Sequence, residues 1–128
     1  MLTLLWIALG GALGTLARFG VNLAIIGRTG ELFPWGTLVI NITGSFVIGL
    51  FAALTGPGGR VAASPDLRLF VLVGVCGGFT TFSSFSLQTL ALLEAGEPLR
   101  AGANVVASVT LCLVAVWLGS IAPHFLRS

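Results

Sequence analysis

A chain of 128 residues that is 56% hydrophobic and only 8% charged lies far outside the composition of soluble domains. Its net charge of +2, from six Arg and no Lys against four acids, is too small and too scattered to suggest nucleic acid as a partner. Apolar stretches long enough to cross a bilayer recur along it, so the expected class is an all-α integral membrane protein, residues 1–128 forming one domain of four transmembrane helices.

The first span runs from about Leu4 to Ile26. It lacks the positively charged start of a signal peptide and stays apolar past any cleavage site, which makes it a first membrane helix. Gly10, Gly11 and Gly14 give it a small-residue spacing that favours close approach of another helix. Arg18 is an intramembrane charge that either snorkels to the interface or anchors structure or function. Gly27 to Phe33 connects to Pro34-Trp35, a helix start with an interfacial aromatic.

The second span, Pro34 to about Leu54, is apolar apart from Thr37, Asn41, Thr43 and Ser45. An amide near the bilayer centre is costly unless partnered, so Asn41 either ties two helices together, usually for about 1 kcal/mol, or serves a ligand. Thr55 to Pro65, with three Gly, two Pro and Arg60, is the longest surface loop, and Asp66 and Arg68 mark the next interface.

The third apolar run, Leu67 to Leu93, is too long for one straight span. Its 27 residues would make a helix about 40 Å long against a hydrocarbon core about 30 Å thick. Within it, Gly77-Gly78-Phe79-Thr80-Thr81-Phe82-Ser83-Ser84-Phe85-Ser86 packs two glycines and five hydroxyls into ten positions. The expectation is a helix broken near Gly77 to Thr80, with carbonyls that protein, water or an ion must satisfy. Phe82 and Phe85 lie about 60° apart around a helix, on one face. After a short turn holding Glu94, Glu97, Pro98 and Arg100, the fourth span runs from about Ala101 to Ile121, with Asn104, Ser108 and Cys112 as an i+4 stripe. Cys76 and Cys112 both fall in apolar runs and are expected as small buried side chains. Pro123, His124 and Arg127 end the chain at an interface.

Four spans put Arg60, Arg68 and Arg127 on one side and Arg28, Arg100 and Arg18, if it snorkels, on the other. Three against three gives no insertion bias. Opposite copies could then pair as an antiparallel dimer, and four helices are few for enclosing a pathway alone.

Taken together, Gly10-Gly11-x-x-Gly14-x-x-x-Arg18, Trp35-Gly36-Thr37-Leu38-x-x-Asn41-x-x-Gly44 and the Gly77 to Ser86 stretch closely resemble the Fluc (CrcB) fluoride channels. The resemblance implies a dual-topology antiparallel homodimer in the bacterial inner membrane. It implies two fluoride pores at the subunit interface, one central sodium ion, and passive export of cytoplasmic fluoride. It assigns Phe82, Phe85 and Asn41 to the fluoride pathway, with Thr81, Ser83, Ser84 and Ser108 as hydroxyls along or beside it. It assigns the Gly77 and Thr80 backbone carbonyls to sodium and Arg18 to the family's first-helix arginine. An aromatic ring is positive at its edge and an amide supplies N–H donors, so such a site can take an anion without fixed positive charge. The chain departs from the family in having Gln88 where many members have Glu, and in having no Tyr in its last helix, where Asn104 stands instead.

The alternative function is a small dual-topology proton-coupled multidrug exporter. It would need a titratable carboxylate within the membrane, whereas Glu31, Asp66, Glu94 and Glu97 all fall at or beyond span ends. A purely structural subunit would leave the hydroxyl-rich break and Asn41 without a reason. Catalysis lacks a His, Cys or acid cluster near a plausible pocket, so an enzyme is not expected.

Overall fold

The computed structural model describes residues 1–126. Arg127, counted above toward one membrane side, lies outside the described residues. Those residues form helices and turns: α1 (Leu2–Thr29), α2 (Trp35–Thr55), α3 (Pro65–Leu69), a π-helical turn (Phe70–Val75), α4 (Cys76–Phe79), α5 (Phe82–Glu94) and α6 (Pro98–Phe125). Grouped as Leu2–Thr29, Trp35–Thr55, Pro65–Glu94 and Pro98–Phe125, they give four helical segments long and apolar enough to cross a membrane. The expected spans are all present, each end moved by a few residues. The fourth runs furthest past its expected end, because Pro123 is carried inside the last turns of α6.

Local chemistry sets the ends. Pro34 precedes the first residue of α2, and Pro98 opens α6, where its missing N–H costs nothing. Ser64 caps α3 by accepting from the Leu67 N–H at 3.1 Å, with Pro65 at the first helical position. Gly96, at φ +75°, turns the chain from α5 into α6.

Two glycine seams hold the bundle. On the first, α1 lies directly on the π-helical turn and α4. A Cβ on Gly10 would come within 2.5 Å of the Phe70 carbonyl, and one on Gly78 within 2.5 Å of the Gly11 carbonyl. Gly14 is closed in the same way by Val75 and Phe79, so the small-residue spacing of α1 does bring a second helix into backbone contact. On the second seam, Gly49 of α2 and Gly119 of α6 each face the other helix's backbone at Val116 and Phe46. Ile40, Leu38, Ala101 and Ala115 are buried in this four-helix bundle. Most other large apolar side chains remain exposed, as they can where the solvent is lipid.

Candidate functional site

The third span stops being helical at Thr80 (φ −85°, ψ 156°) and Thr81 (φ −153°, ψ 115°), both extended. A break here frees backbone groups that lipid cannot satisfy, and side chains from three elements take them up. Asn41 of α2 spans Thr81 with both ends of its amide: Oδ1 accepts from the Thr81 N–H at 2.8 Å and Nδ2 donates to the Thr81 carbonyl at 3.0 Å. The Thr81 hydroxyl caps α5 by accepting from the Ser84 N–H at 3.1 Å. Thr80 turns its hydroxyl and its N–H back to the Cys76 carbonyl, at 2.8 and 3.0 Å. Arg18 Nε donates to the Gly78 carbonyl at 3.0 Å, with the Thr15 hydroxyl 3.5 Å from the same oxygen. Arg18 is therefore an anchor for the break.

These exchanges single out two carbonyls. In a continuous helix the Thr81 N–H would bond the Gly77 carbonyl and the Ser84 N–H the Thr80 carbonyl. Here the first donor goes to Asn41 and the second to the Thr81 hydroxyl, leaving both oxygens without their helical partners. The Gly77 side is also open, since a Cβ placed there meets nothing closer than 4.0 Å.

Beside the break lies a cavity of about 450 Å³ lined by Asn41, Thr80, Thr81, Phe82, Phe85 and Ser108, with Gly44, Cys76 and Cys112 also on its wall. The Phe82 and Phe85 rings sit 5.3 Å apart between centroids at an interplanar angle of 51°, a tilted pair sharing one face as their spacing required. They differ in exposure: Phe82 is 76% exposed and Phe85 is 8%. Phe79 is not on this cavity and packs toward Gly44 instead. Asn41 has used one amide hydrogen on Thr81, and its second is free to act as a donor.

The remaining hydroxyls divide. Ser83 is exposed, 3.4 Å from the Thr81 hydroxyl, and neither it nor Ser84 lines the cavity. Ser108 does, but its hydroxyl donates to Asn104 Oδ1 at 3.3 Å. Asn104 in turn donates to the Thr89 hydroxyl at 2.9 Å, and Thr89 to the Phe85 carbonyl at 2.8 Å. This relay ties the buried polar stripe of α6 to α5. Thr89 and Thr15 carry no signal in the sequence, because a Thr on an apolar helix is as often bonded to its own turn. Gln88 lies on a second cavity of about 460 Å³ with Asn22, Glu31 and Arg100, and its buried Oε1 has no partner among the described residues. The acids lie at helix ends: Asp66 Oδ1 accepts from Thr3 at 2.8 Å, and the exposed Glu97 pairs with Arg100 at 3.8 Å.

Residues 5–120 match the profile of the family described as "CrcB-like protein, Camphor Resistance (CrcB)". The chain is also 60% identical over 124 residues to the protein of Opitutus terrae named "Fluoride-specific ion channel FluC", covering 97% of this chain and 94% of the other. Proteins of the same name from Rhodospirillum rubrum and Methylocella silvestris are 60% and 57% identical, covering 94% and 91% of this chain and 93% and 89% of theirs.

Proposed function

The chain belongs to the CrcB family, and on that premise we propose that it is a fluoride-selective ion channel of the bacterial plasma membrane, letting cytoplasmic fluoride leave passively down its electrochemical gradient. The observation that carries this reading is the convergence of Asn41, Phe82 and Phe85 on one cavity beside a helix break. Fluoride is a small anion that holds its water tightly. A wall that offers the second Asn41 N–H and two tilted aromatic rings supplies partial positive charge without a fixed cation. Such contacts are weak enough individually for the ion to leave. Thr81 is held by its own capping duty, so the hydroxyl works mainly through the shape of the break.

The functional unit is an antiparallel dual-topology homodimer with two pores. With Arg18 spent on the Gly78 carbonyl, the arginines divide three against two, and so small an insertion bias supports it. Labelling one loop position from one side of intact cells should reach about half of the molecules, as unbiased insertion requires. Labelling of nearly all or none would exclude dual topology.

A sodium ion at the centre of that dimer suits the residues. Gly77 and Thr80 each present a carbonyl whose helical donor has been drawn elsewhere, and a hard cation takes such oxygens. The ion would supply a positive charge between two broken helices, and two chains would together contribute four such carbonyls.

The deciding experiment is efflux from liposomes containing the purified protein, fluoride against chloride. Fast fluoride efflux with chloride retained is the expected result. Equal rates, or no efflux of either, would overturn the reading.

A further inference from the structure

A separate cavity of about 260 Å³, lined by Trp6, Ser64, Asp66, Leu67 and Phe70, takes no part in the site at the break. Trp6 stands near the start of α1 and Asp66 in the first turn of α3, so the cavity lies where the first and third spans begin, at the level of lipid headgroups. Thr3 fixes the carboxylate by donating to Asp66 Oδ1 at 2.8 Å, while Oδ2 takes no hydrogen bond from any described residue. Among the described residues no arginine and no terminal amine lies within 4.0 Å of it, whereas Glu97 has Arg100 at 3.8 Å. The Trp6 and Phe70 rings meet edge to face, with centroids 5.7 Å apart at 82°. Such a pair leaves most of its ring faces, the negative side of the quadrupole, uncovered by one another. Ser64 Oγ accepts from the Leu67 N–H, so its own hydrogen remains to be donated.

We propose that this cavity binds the headgroup of an aminophospholipid of the phosphatidylethanolamine class. The protonated amine sits between Asp66 Oδ2 and the Trp6 and Phe70 ring faces, where the carboxylate accepts an N–H and the rings add cation–π attraction. The lipid phosphate, one ethylene group away, has the Ser64 hydroxyl and the Trp6 indole N–H as donors. A zwitterion suits this wall better than an anionic headgroup, because the one fixed charge among the lining residues is the negative charge of Asp66. It also suits the wall better than a trimethylated headgroup, which has no N–H to give the carboxylate. Each contact is weak at an exposed position, but acyl chains held in the bilayer keep the headgroup beside the cavity and so raise its local concentration. The assignment does not depend on fluoride conduction.

The test uses the full chain in detergent micelles doped with lipids of identical acyl chains, with bound lipid read by native mass spectrometry. Phosphatidylethanolamine should be retained roughly fivefold over phosphatidylcholine and phosphatidylglycerol, the scale of one exposed carboxylate to ammonium contact with an aromatic face beside it. Asp66→Asn keeps an oxygen for the Thr3 hydroxyl and should abolish that preference. Trp6→Leu leaves the carboxylate in place and should cut the preference by about half. Free ethanolamine at the concentration of the lipid should displace none of it. Equal retention of phosphatidylcholine, stronger retention of phosphatidylglycerol, or an unchanged preference in either folded variant would overturn the proposal. Displacement by free ethanolamine would make this a site for soluble amines and refute the lipid assignment. Should Asp66→Asn fail to fold, Trp6→Leu and the wild-type lipid series still decide the matter.

Discussion

Replacing Asn41 by Leu keeps the volume and apolarity of the position and removes the amide that spans Thr81. Two side-chain to backbone hydrogen bonds go, at 2.8 and 3.0 Å, each with a net value of about 1 kcal/mol. The Thr81 N–H and carbonyl then lose their partners at a half-buried position, so the total loss should be about 2–4 kcal/mol. The freed Thr81 N–H has one acceptor close by in the chain, the Gly77 carbonyl, to which it would bond in a continuous helix. Recovery of that bond limits the destabilisation but removes one of the two oxygens assigned to sodium. The variant should therefore lose two things together, fluoride efflux and the stabilisation of the folded protein by sodium. Thermal unfolding in detergent, in sodium against a bulky organic cation, reads the second through the mass-action shift that a native-state ligand produces. Asn41→Asp retains the acceptor for Thr81 N–H and should keep more of the sodium shift than Asn41→Leu. Wild-type efflux, unfolding temperature and sodium shift in Asn41→Leu would refute the bracing role and the donor role alike.

Phe82→Ile and Phe85→Ile keep bulk and remove the ring edge, so fluoride efflux should fall sharply with dimerisation intact. Phe79→Ile, off the cavity, should cost little; equal conduction by all three variants would defeat the aromatic mechanism. The buried Phe85 should also lose about 1 kcal/mol of stability that the exposed Phe82 does not. Gly14→Ala should destabilise by about 1–3 kcal/mol because its methyl meets the Val75 and Phe79 backbone, while Gly11→Ala, with open space at its Cβ, should be near neutral; matched unfolding midpoints would show that the seam is not tight. Arg18→Ala removes the charged donor to the Gly78 carbonyl and should cost about 1.5–3 kcal/mol, read as lower dimer yield and earlier unfolding, with an unaltered protein contradicting the anchoring role.

The four spans were legible because bilayer thickness and apolar composition leave little choice. The break was legible because a 27-residue apolar run with Gly77-Gly78 and clustered hydroxyls has no reason to stay straight. The pairing of Phe82 with Phe85 followed from helical spacing alone, and the tilted ring pair has that arrangement. The two readings of Asn41 were not separable from sequence, and the geometry explains why: one amide hydrogen ties α2 to the break while the other has no protein acceptor among the described residues. Arg18 was equally undecided, because its partner is a backbone carbonyl, which has no letter in the sequence. The orientation of Ser108 was hidden for a related reason. A hydroxyl can donate in several directions, and only the position of Asn104 decides which.

The π-helical turn at Phe70–Val75 makes the third span a part of fixed pitch. Such a turn carries extra residues relative to an α-helix of the same rise, and everything beyond it is rotated accordingly. Deleting or inserting a single residue there would swing α4 by about 100° around its own axis. The Gly78 carbonyl would turn away from Arg18, and the Gly77 and Thr80 carbonyls would leave their present heading. By contrast, the loop between α2 and α3 lies outside both glycine seams, and although its Val61 N–H bonds the Leu54 carbonyl at 2.9 Å, a change of length there rotates no helix. Natural length variation in this fold should therefore collect between Gly56 and Ser64 and be absent between Leu69 and Cys76. The register of one six-residue turn is inherited whole or lost whole.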